Sequence, residues 1–197
     1  MRRLAFAALV AAPLAAAGLN APATAQDAGA PFTGLHVDGL AGWDDLRNHG
    51  HSNDVMYGIG AGYDVAMGNG LRVGIEGEAA DSNNKSCYGA KTAADPRYCA
   101  KAARDLYVGG RIGQVVAGGR GLIYAKAGYT NARVKLTEND GDGQYTLAHD
   151  NLDGVRLGVG GEYGLTRNTF LKAEYRYSNY EQGFSRNQVV GGFGVRF

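Results

Sequence analysis

The sequence predicts an all-β protein, an eight-stranded antiparallel up-and-down transmembrane β-barrel. Three observations carry this. Through most of the chain, residues alternate with a period of two, one face apolar and the other charged or glycine. Successive side chains of a strand point to opposite faces, so this is the pattern of a sheet with two different sides. The polar stretches between these runs alternate long and short, as in a barrel with extended loops at one end and tight turns at the other. The last run sets Val189, Gly191, Phe193, Val195 and Phe197 against Val190, Gly192, Gly194 and Arg196, and stops on an aromatic residue.

The 197 residues suffice for one domain. Arg2 and Arg3, the apolar stretch Leu4 to Leu19 and the small residues Ala23-Thr24-Ala25 make residues 1–25 a cleaved signal peptide, with the barrel domain in 26–197. Removing the two leader arginines takes the 20 basic residues to 18 against 19 acidic ones, a balance that argues against nucleic-acid binding. No run reaches the roughly 18 apolar residues of a spanning helix. Barrel strands escape that test because half their side chains face inward.

After a lead-in ending at Pro31, strand one covers about Thr33–Asp44, with Leu35, Val37, Ala41 and Trp43 opposite His36, Asp38 and Asp44. Strand two, about Val55–Met67, sets Tyr57, Ile59, Ala61, Tyr63 and Val65 against Gly58, Gly60, Gly62 and Asp64. Gly68-Asn69-Gly70 is a tight turn. Strand three, about Leu71–Asp81, opposes Leu71, Val73, Ile75 and Ala79 to Arg72, Glu76 and Glu78. A long polar loop with both cysteines, Cys87 and Cys99, follows; export into an oxidising compartment predicts a disulfide between them. Strand four, about Ala103–Val116, has Leu106, Val108 and Ile112 against Asp105, Tyr107 and Arg111. Strand five, about Gly121–Leu136, has Ile123, Ala125, Ala127 and Tyr129 against Tyr124 and Lys126. After a polar, acidic loop, strand six covers about Leu152–Leu165, with Val155, Leu157, Val159 and Tyr163 opposite Arg156, Gly158, Gly160 and Glu162. Strand seven starts at Thr169 and opposes Leu171, Ala173, Tyr175 and Tyr177 to Lys172, Glu174, Arg176 and Ser178. A polar break separates it from strand eight, the closing run.

Alternation alone leaves open which face points outward, since a soluble up-and-down barrel is apolar inside. The polar face decides for a membrane. It combines glycines with paired signs: Asp38, Glu76, Glu78, Asp105, Glu162 and Glu174 against Arg72, Arg111, Lys126, Arg156, Lys172, Arg176 and Arg196. An eight-stranded barrel has a bore that side chains just fill, so these residues form a candidate lumen charge network. Aromatics of the apolar face sit toward strand ends, with Trp43, Tyr57, Tyr129 and Tyr177 at the outer membrane boundary and Tyr63, Tyr163 and Phe197 at the inner one. A bilayer offers no water to unpaired backbone groups, so strand one must pair with strand eight.

The stretch KAEYRYSNY and the terminal VVGGFGVRF resemble the small outer-membrane β-barrel proteins of alphaproteobacteria, including the Omp25/31-like surface antigens, and the wider OmpA-type barrel group. Gly192, Val195 and Phe197 stand as in the carboxyl-terminal insertion signal of such barrels. The resemblance implies an outer-membrane location among lipid and lipopolysaccharide, assembly by the barrel-assembly machinery through the last strand, and a monomeric or weakly associated protein. It implies a structural or surface-interaction role, with the loops as the place for any surface ligand, and a narrow porin-like channel as the alternative. The sequence stops with the closing strand, so the peptidoglycan-binding domain of full-length OmpA proteins is not expected.

Some small barrels modify lipid A with a serine, a histidine and an acid near the outer rim. Here Ser178 has Arg176, not histidine, two residues before it, and His49, His51, Ser52 and His149 are spread over polar loops. A nucleophile needs a base within hydrogen-bond reach, so no catalytic residue is assigned. Asp140-Gly141-Asp142-Gly143 lacks the later ligands of a calcium loop, two cysteines without nearby histidines do not make a zinc site, and the mid-strand GxG pairs do not open a helix. No metal or cofactor is expected.

Overall fold

In a computed structural model of the chain, the described residues are 30–47, 51–82, 85–90, 92, 97–139 and 144–197. The proposed leader and its cleavage site lie outside them. The strands are β1 (Gly34–Arg47), β2 (His51–Ala66), β3 (Leu71–Ser82), a short β4 (Lys85–Tyr88), β5 (Arg97–Val116), β6 (Gly121–Asn139), β7 (Gln144–Gly164), β8 (Thr169–Tyr180) and β9 (Ser185–Arg196). All except β4 build one antiparallel sheet of eight strands that closes on itself. β1 pairs with β9 from His36↔Arg196 to Arg47↔Ser185, the closure the sequence predicts. β3 pairs with β5, and β4 is a flap held on the edge of β5.

The short turns, 67–70, 117–120 and 165–168, lie at one end with the lead-in and Phe197. At the first, Gly68, Asn69 and Gly70 all have positive φ, which glycine adopts freely and asparagine tolerates, so the chain reverses in a single turn.

The membrane-spanning registers fall where the alternation puts them, but the strands are longer at the opposite end. Most of the polar stretch after strand one, part of the cysteine loop, most of the acidic loop and the break before strand eight are paired β-ribbon. The 21 residues of β7, at about 3.4 Å each and tilted roughly 40°, rise about 50 Å, twice the roughly 25 Å apolar band of such barrels. Above the membrane both faces of a ribbon are wet, so the backbone ladder continues with no apolar alternation to announce it.

Along the crossing, burial alternates strictly. In β8, Phe170, Lys172, Glu174, Arg176, Ser178 and Tyr180 are buried while Leu171, Ala173, Tyr175 and Tyr177 are exposed. The exterior carries Ile59, Ile75, Val108, Ile112, Ile123, Leu157, Val159, Val189 and Phe193. A face so apolar needs lipid, because monomeric soluble proteins rarely expose contiguous apolar patches beyond a few hundred Å². The buried interior is instead rich in charged groups, with small apolar clusters such as Leu40, Met56, Ala80 and Val190 between them.

Candidate functional site: the ionic lumen and its two rims

Each strand contributes every second residue to the lumen, so closure alone brings distant parts of the sequence together. Near the short-turn end, two arginines bridge two carboxylates. Arg111 donates from Nε to Asp64 at 2.7 Å, from Nη2 to the same carboxylate, and from Nη1 to Glu162 at 2.6 Å. Arg196 donates to Asp64 at 2.7 Å and to Glu162 at 2.8 Å. His36 lies against this square, with Nδ1 3.4 Å from Asp64 and its ring edge-on to Phe170.

The middle layer is centred on Lys126. Its ammonium reaches Glu76 at 2.6 Å, Glu78 at 2.8 Å and Glu174 at 2.7 Å, and sits 4.7 Å from the centre of the Tyr107 ring. Oxygens of these three carboxylates lie within 4.8 Å of one another, the spacing of a cation site. The Lys126 ammonium already takes the place such an ion would fill. Lys172 joins Glu76 at 3.3 Å and approaches Asp38 at 3.6 Å, while Arg176 holds Glu78 at 2.9 Å and Glu174 at 2.5 Å. The Tyr124 hydroxyl donates to Glu174 at 2.6 Å.

Toward the ribbon end, Asp105 accepts from Arg156 at 2.5 Å, Arg186 at 2.8 Å and Thr130 at 2.9 Å. Arg186 also donates from Nε to Asp44 at 2.6 Å, and Ser82 donates to the same carboxylate at 2.9 Å. Ser178 is fully buried and its Oγ accepts from Arg156 Nε at 2.8 Å. A guanidinium cannot act as the base of a nucleophilic serine, which removes Ser178 as a nucleophile. The side chains of His51, Ser52 and His149, His49 as a whole, and the stretch 140–143 lie outside the described residues.

Among the described residues the buried charges number eight carboxylates and eight cations, so the two signs balance. All thirteen residues of the sequence-derived charge network are buried. One differs in its role. Among the described residues Arg72 makes no hydrogen bond to a carboxylate; its Nε donates to the Pro31 carbonyl at 2.8 Å and its Nη1 to the Leu71 carbonyl at 2.9 Å. It thereby straps the lead-in across the short-turn mouth. Phe32, buried with Leu122 and Tyr124, stoppers that mouth under the Arg196 guanidinium, which lies 5.7 Å from its ring centre.

Sequence reasoning missed Asp44, Asp64 and Arg186 as members of the network, and Gln188 as a buried neighbour. Asp44 and Asp64 were legible, standing on the polar faces of strands one and two. Carrying the alternation of the closing strand back from Val190 would have found Gln188 and Arg186.

Mid-strand glycines make the filling possible. The Tyr107 ring lies across Gly109, where an added Cβ would stand 2.1 Å from its hydroxyl, and Phe170 lies across Gly194 at 2.3 Å. Flat side chains cover neighbours that have none.

Of the proposed interface aromatics, Trp43, Tyr57, Tyr63, Tyr129, Tyr163, Tyr177 and Phe197 are all on the outer wall. Tyr63 pairs with Leu35, whose carbonyl accepts the Phe197 N–H at 2.8 Å, so these residues meet at the short-turn end. Gly192 and Val195 lie in β9 within the pairing that closes the barrel, opposite Leu40 and Val37. At the other end Cys87 and Cys99 form a disulfide between directly paired positions of β4 and β5.

Removing one partner from a dry ion pair strands the other, at a cost of about 3–5 kcal/mol. Glu174→Ala or Arg176→Ala is therefore expected to lower the melting temperature well below that of Arg97→Ala on the exposed ribbon. Circular dichroism melts in detergent check this. Equal melting temperatures would mean the lumen is solvated.

The chain belongs to the outer membrane protein beta-barrel domain family, which it matches over residues 6–197. It is a bacterial outer-membrane barrel. Among solved structures it resembles the Neisserial surface protein A, NspA, at 17% identity and a TM-score of 0.60, with 84% of this chain and 98% of that one covered. It also resembles Ail, the attachment invasion locus protein of Yersinia pestis, at 13% identity and a TM-score of 0.59, covering 84% and 99%. At these identities the likeness is one of fold. No curated protein matches the chain in sequence.

Proposed function

We propose that this protein is a structural and surface-interaction barrel without catalytic activity, of the small alphaproteobacterial Omp25/31-like kind. In this reading residues 1–25 are its export leader. The barrel-assembly machinery inserts it through the closing strand and its Gly192, Val195 and Phe197 signal, and it works as a monomer among lipid and lipopolysaccharide. The carrying observation is the lumen. Ion pairs fill it from Asp64 and Arg111 at one end to Asp44 and Arg186 at the other, leaving the wall and the external ribbons as the working surfaces. Loops and ribbons on a rigid frame are where binding resides. Ail, a barrel of similar build, has been crystallised with the heparin analogue sucrose octasulfate, which is in keeping with polyanion contact at such a surface. A deletion strain compared with its parent for adhesion and detergent sensitivity tests the role. A change in either is expected, and no change in both would remove the reading.

A second reading, narrow passage of water or small ions, is favoured by one observation. Asp38 Oδ2, Tyr107 Oη, Arg176 Nη1, both polar atoms of the Gln188 amide and Arg196 Nε are buried without a hydrogen-bond partner among the described residues. Buried polar atoms of this kind are satisfied by internal water. Planar-bilayer recording of refolded protein separates the two. The filled lumen is expected to give no stable conductance step; reproducible steps abolished by Gln188→Leu would establish the channel.

A further inference from the structure

The wall and the ribbons are not the only surfaces the barrel offers. Where the lead-in meets the turns 117–120 and 165–168, a cavity of about 640 Å³ lies at the mouth of the bore. Phe32, Phe170 and Arg196, all buried, line its inner part. Arg120 and Arg167, both exposed, line its rim. Among the described residues the lining has three arginines and no carboxylate side chain. Phe170 and Arg196 take inward positions of β8 and β9, so the cavity faces along the barrel axis and not sideways into lipid. Short turns mark the periplasmic end of such barrels, so the solvent it meets is the periplasm.

Charge is uneven along the bore. At this end Arg72, Arg111, Arg120, Arg167 and Arg196 stand against Asp64 and Glu162 among the described residues. Both carboxylates already accept from Arg111 and Arg196, and Arg72 donates to backbone carbonyls. A cleft lined by one sign of charge focuses the field and raises the local concentration of the opposite ion.

The deepest donor is a single N–H. Arg196 commits Nη1 to Asp64 at 2.7 Å and Nη2 to Glu162 at 2.8 Å, while its Nε is buried with no hydrogen-bond partner among the described residues. The residue is only 7% exposed. A buried donor without a protein acceptor is met by water or by a ligand. The Phe32 and Phe170 ring centres lie 5.7 and 5.3 Å from the guanidinium, so the donor is set between apolar faces. At the rim, Arg120 rests on the Tyr163 ring at 5.5 Å. Arg167 makes no ion pair among the described residues. Its turn is fixed by the Thr166 hydroxyl, which accepts the N–H groups of Asn168 at 3.2 Å and Thr169 at 3.1 Å.

Guanidinium groups match carboxylate and phosphate oxygens. Here the nearby Asp64 and Glu162 decide between them, because they repel a doubly charged phosphate more than a singly charged carboxylate. We propose that the mouth cavity binds a small carboxylate with an apolar or aromatic body, taken from the periplasm. One oxygen accepts from Arg196 Nε, the body lies against Phe32 and Phe170, and Arg167 draws the charge in. The volume is within the roughly 300–1,000 Å³ of small-molecule sites. This site goes beyond the surface-interaction reading and stands or falls apart from it.

The test is calorimetric titration of the full chain, refolded in neutral detergent, with phenylacetate, with uncharged 2-phenylethanol and with inorganic phosphate. Phenylacetate is expected to bind, and the other two about tenfold or more weaker, the loss expected for a charge-assisted hydrogen bond. Gly164→Leu fills the cavity without altering charge. An added Cβ there meets nothing nearer than the Thr166 carbonyl oxygen at 3.6 Å, with the Phe32 ring at 3.9 Å. That variant is expected to lose binding, and Arg167→Gln to weaken it by about threefold, as for an exposed charge. Arg97→Gln, on the ribbon, is expected to bind as the parent does. Heat-modifiable gel migration confirms that each variant is folded. Absent phenylacetate binding, equal binding of 2-phenylethanol, or unchanged affinity in Gly164→Leu overturns the proposal, and tighter binding of phosphate overturns the choice of ligand. Residues 26–29 carry one carboxylate, Asp27. Asp27→Asn is expected to bind as the parent does; markedly tighter binding would assign the site to the chain's own lead-in and overturn an outside ligand.

Discussion

Lys126→Met is expected to destabilise the barrel by about 3–5 kcal/mol, the loss associated with stranding one side of a buried ion pair. The substitution nearly preserves volume, so the effect isolates the charge. Lys126 is the shared cation of Glu76, Glu78 and Glu174, all within 2.8 Å of its ammonium. Without it, three carboxylates crowd a space from which water is largely excluded. Lys172 and Arg176 remain, but each already serves part of the same cluster. Urea unfolding followed by tyrosine and tryptophan fluorescence measures the shift. Adding Glu174→Gln to Lys126→Met is expected to recover part of the loss by removing one stranded charge. If Lys126→Met matched the exposed Arg97→Ala, the lumen network would not hold the barrel together.

Gly128→Ala is expected to be the second large effect, about 1–3 kcal/mol from overpacking, for one methyl group. Gly128 is registered with Gly109 across the β5–β6 seam. An added Cβ would stand 2.3 Å from the Val108 carbonyl oxygen and 2.4 Å from the Gly109 Cα, both backbone atoms that cannot rotate away. It would also push on the Tyr107 ring, at 2.9 Å, and through that ring on Lys126 and Arg156. Gly110→Ala is the control, because its nearest neighbour lies at 3.8 Å. The same urea titration is expected to show Gly110→Ala near the parent and Gly128→Ala well below it.

The spanning part of the fold was legible because two solvents act on it. Lipid requires Ile59, Val108 and Leu157 on one face, while the closed bore admits Glu76, Lys126 and Arg156 on the other. The sequence records that contrast residue by residue. Where the contrast ends, so does the signal. The ribbon positions of β4, the start of β5 and the first half of β7 are polar on both faces and read as loops, although their backbones pair. Arg186 and Gln188 were lost to the same effect at the start of β9.

Pairing within the lumen was illegible for a different reason. Arg186 and Asp44 are 142 positions apart and meet only because β1 closes on β9. Arg72 reads as one more lumen charge, and its role as the strap on Pro31 depends on where the lead-in crosses the mouth.

The central claim is that the apolar face meets lipid and the charged face is enclosed. Tryptophan fluorescence in bilayers of acyl-chain-brominated lipid tests it most directly. In a Trp43→Phe background, a tryptophan introduced by Ile59→Trp on the exposed wall is compared with one introduced by Tyr107→Trp in the lumen. Strong quenching of the first with none of the second is the result this structure predicts; quenching of the lumen tryptophan with a silent wall position would contradict it.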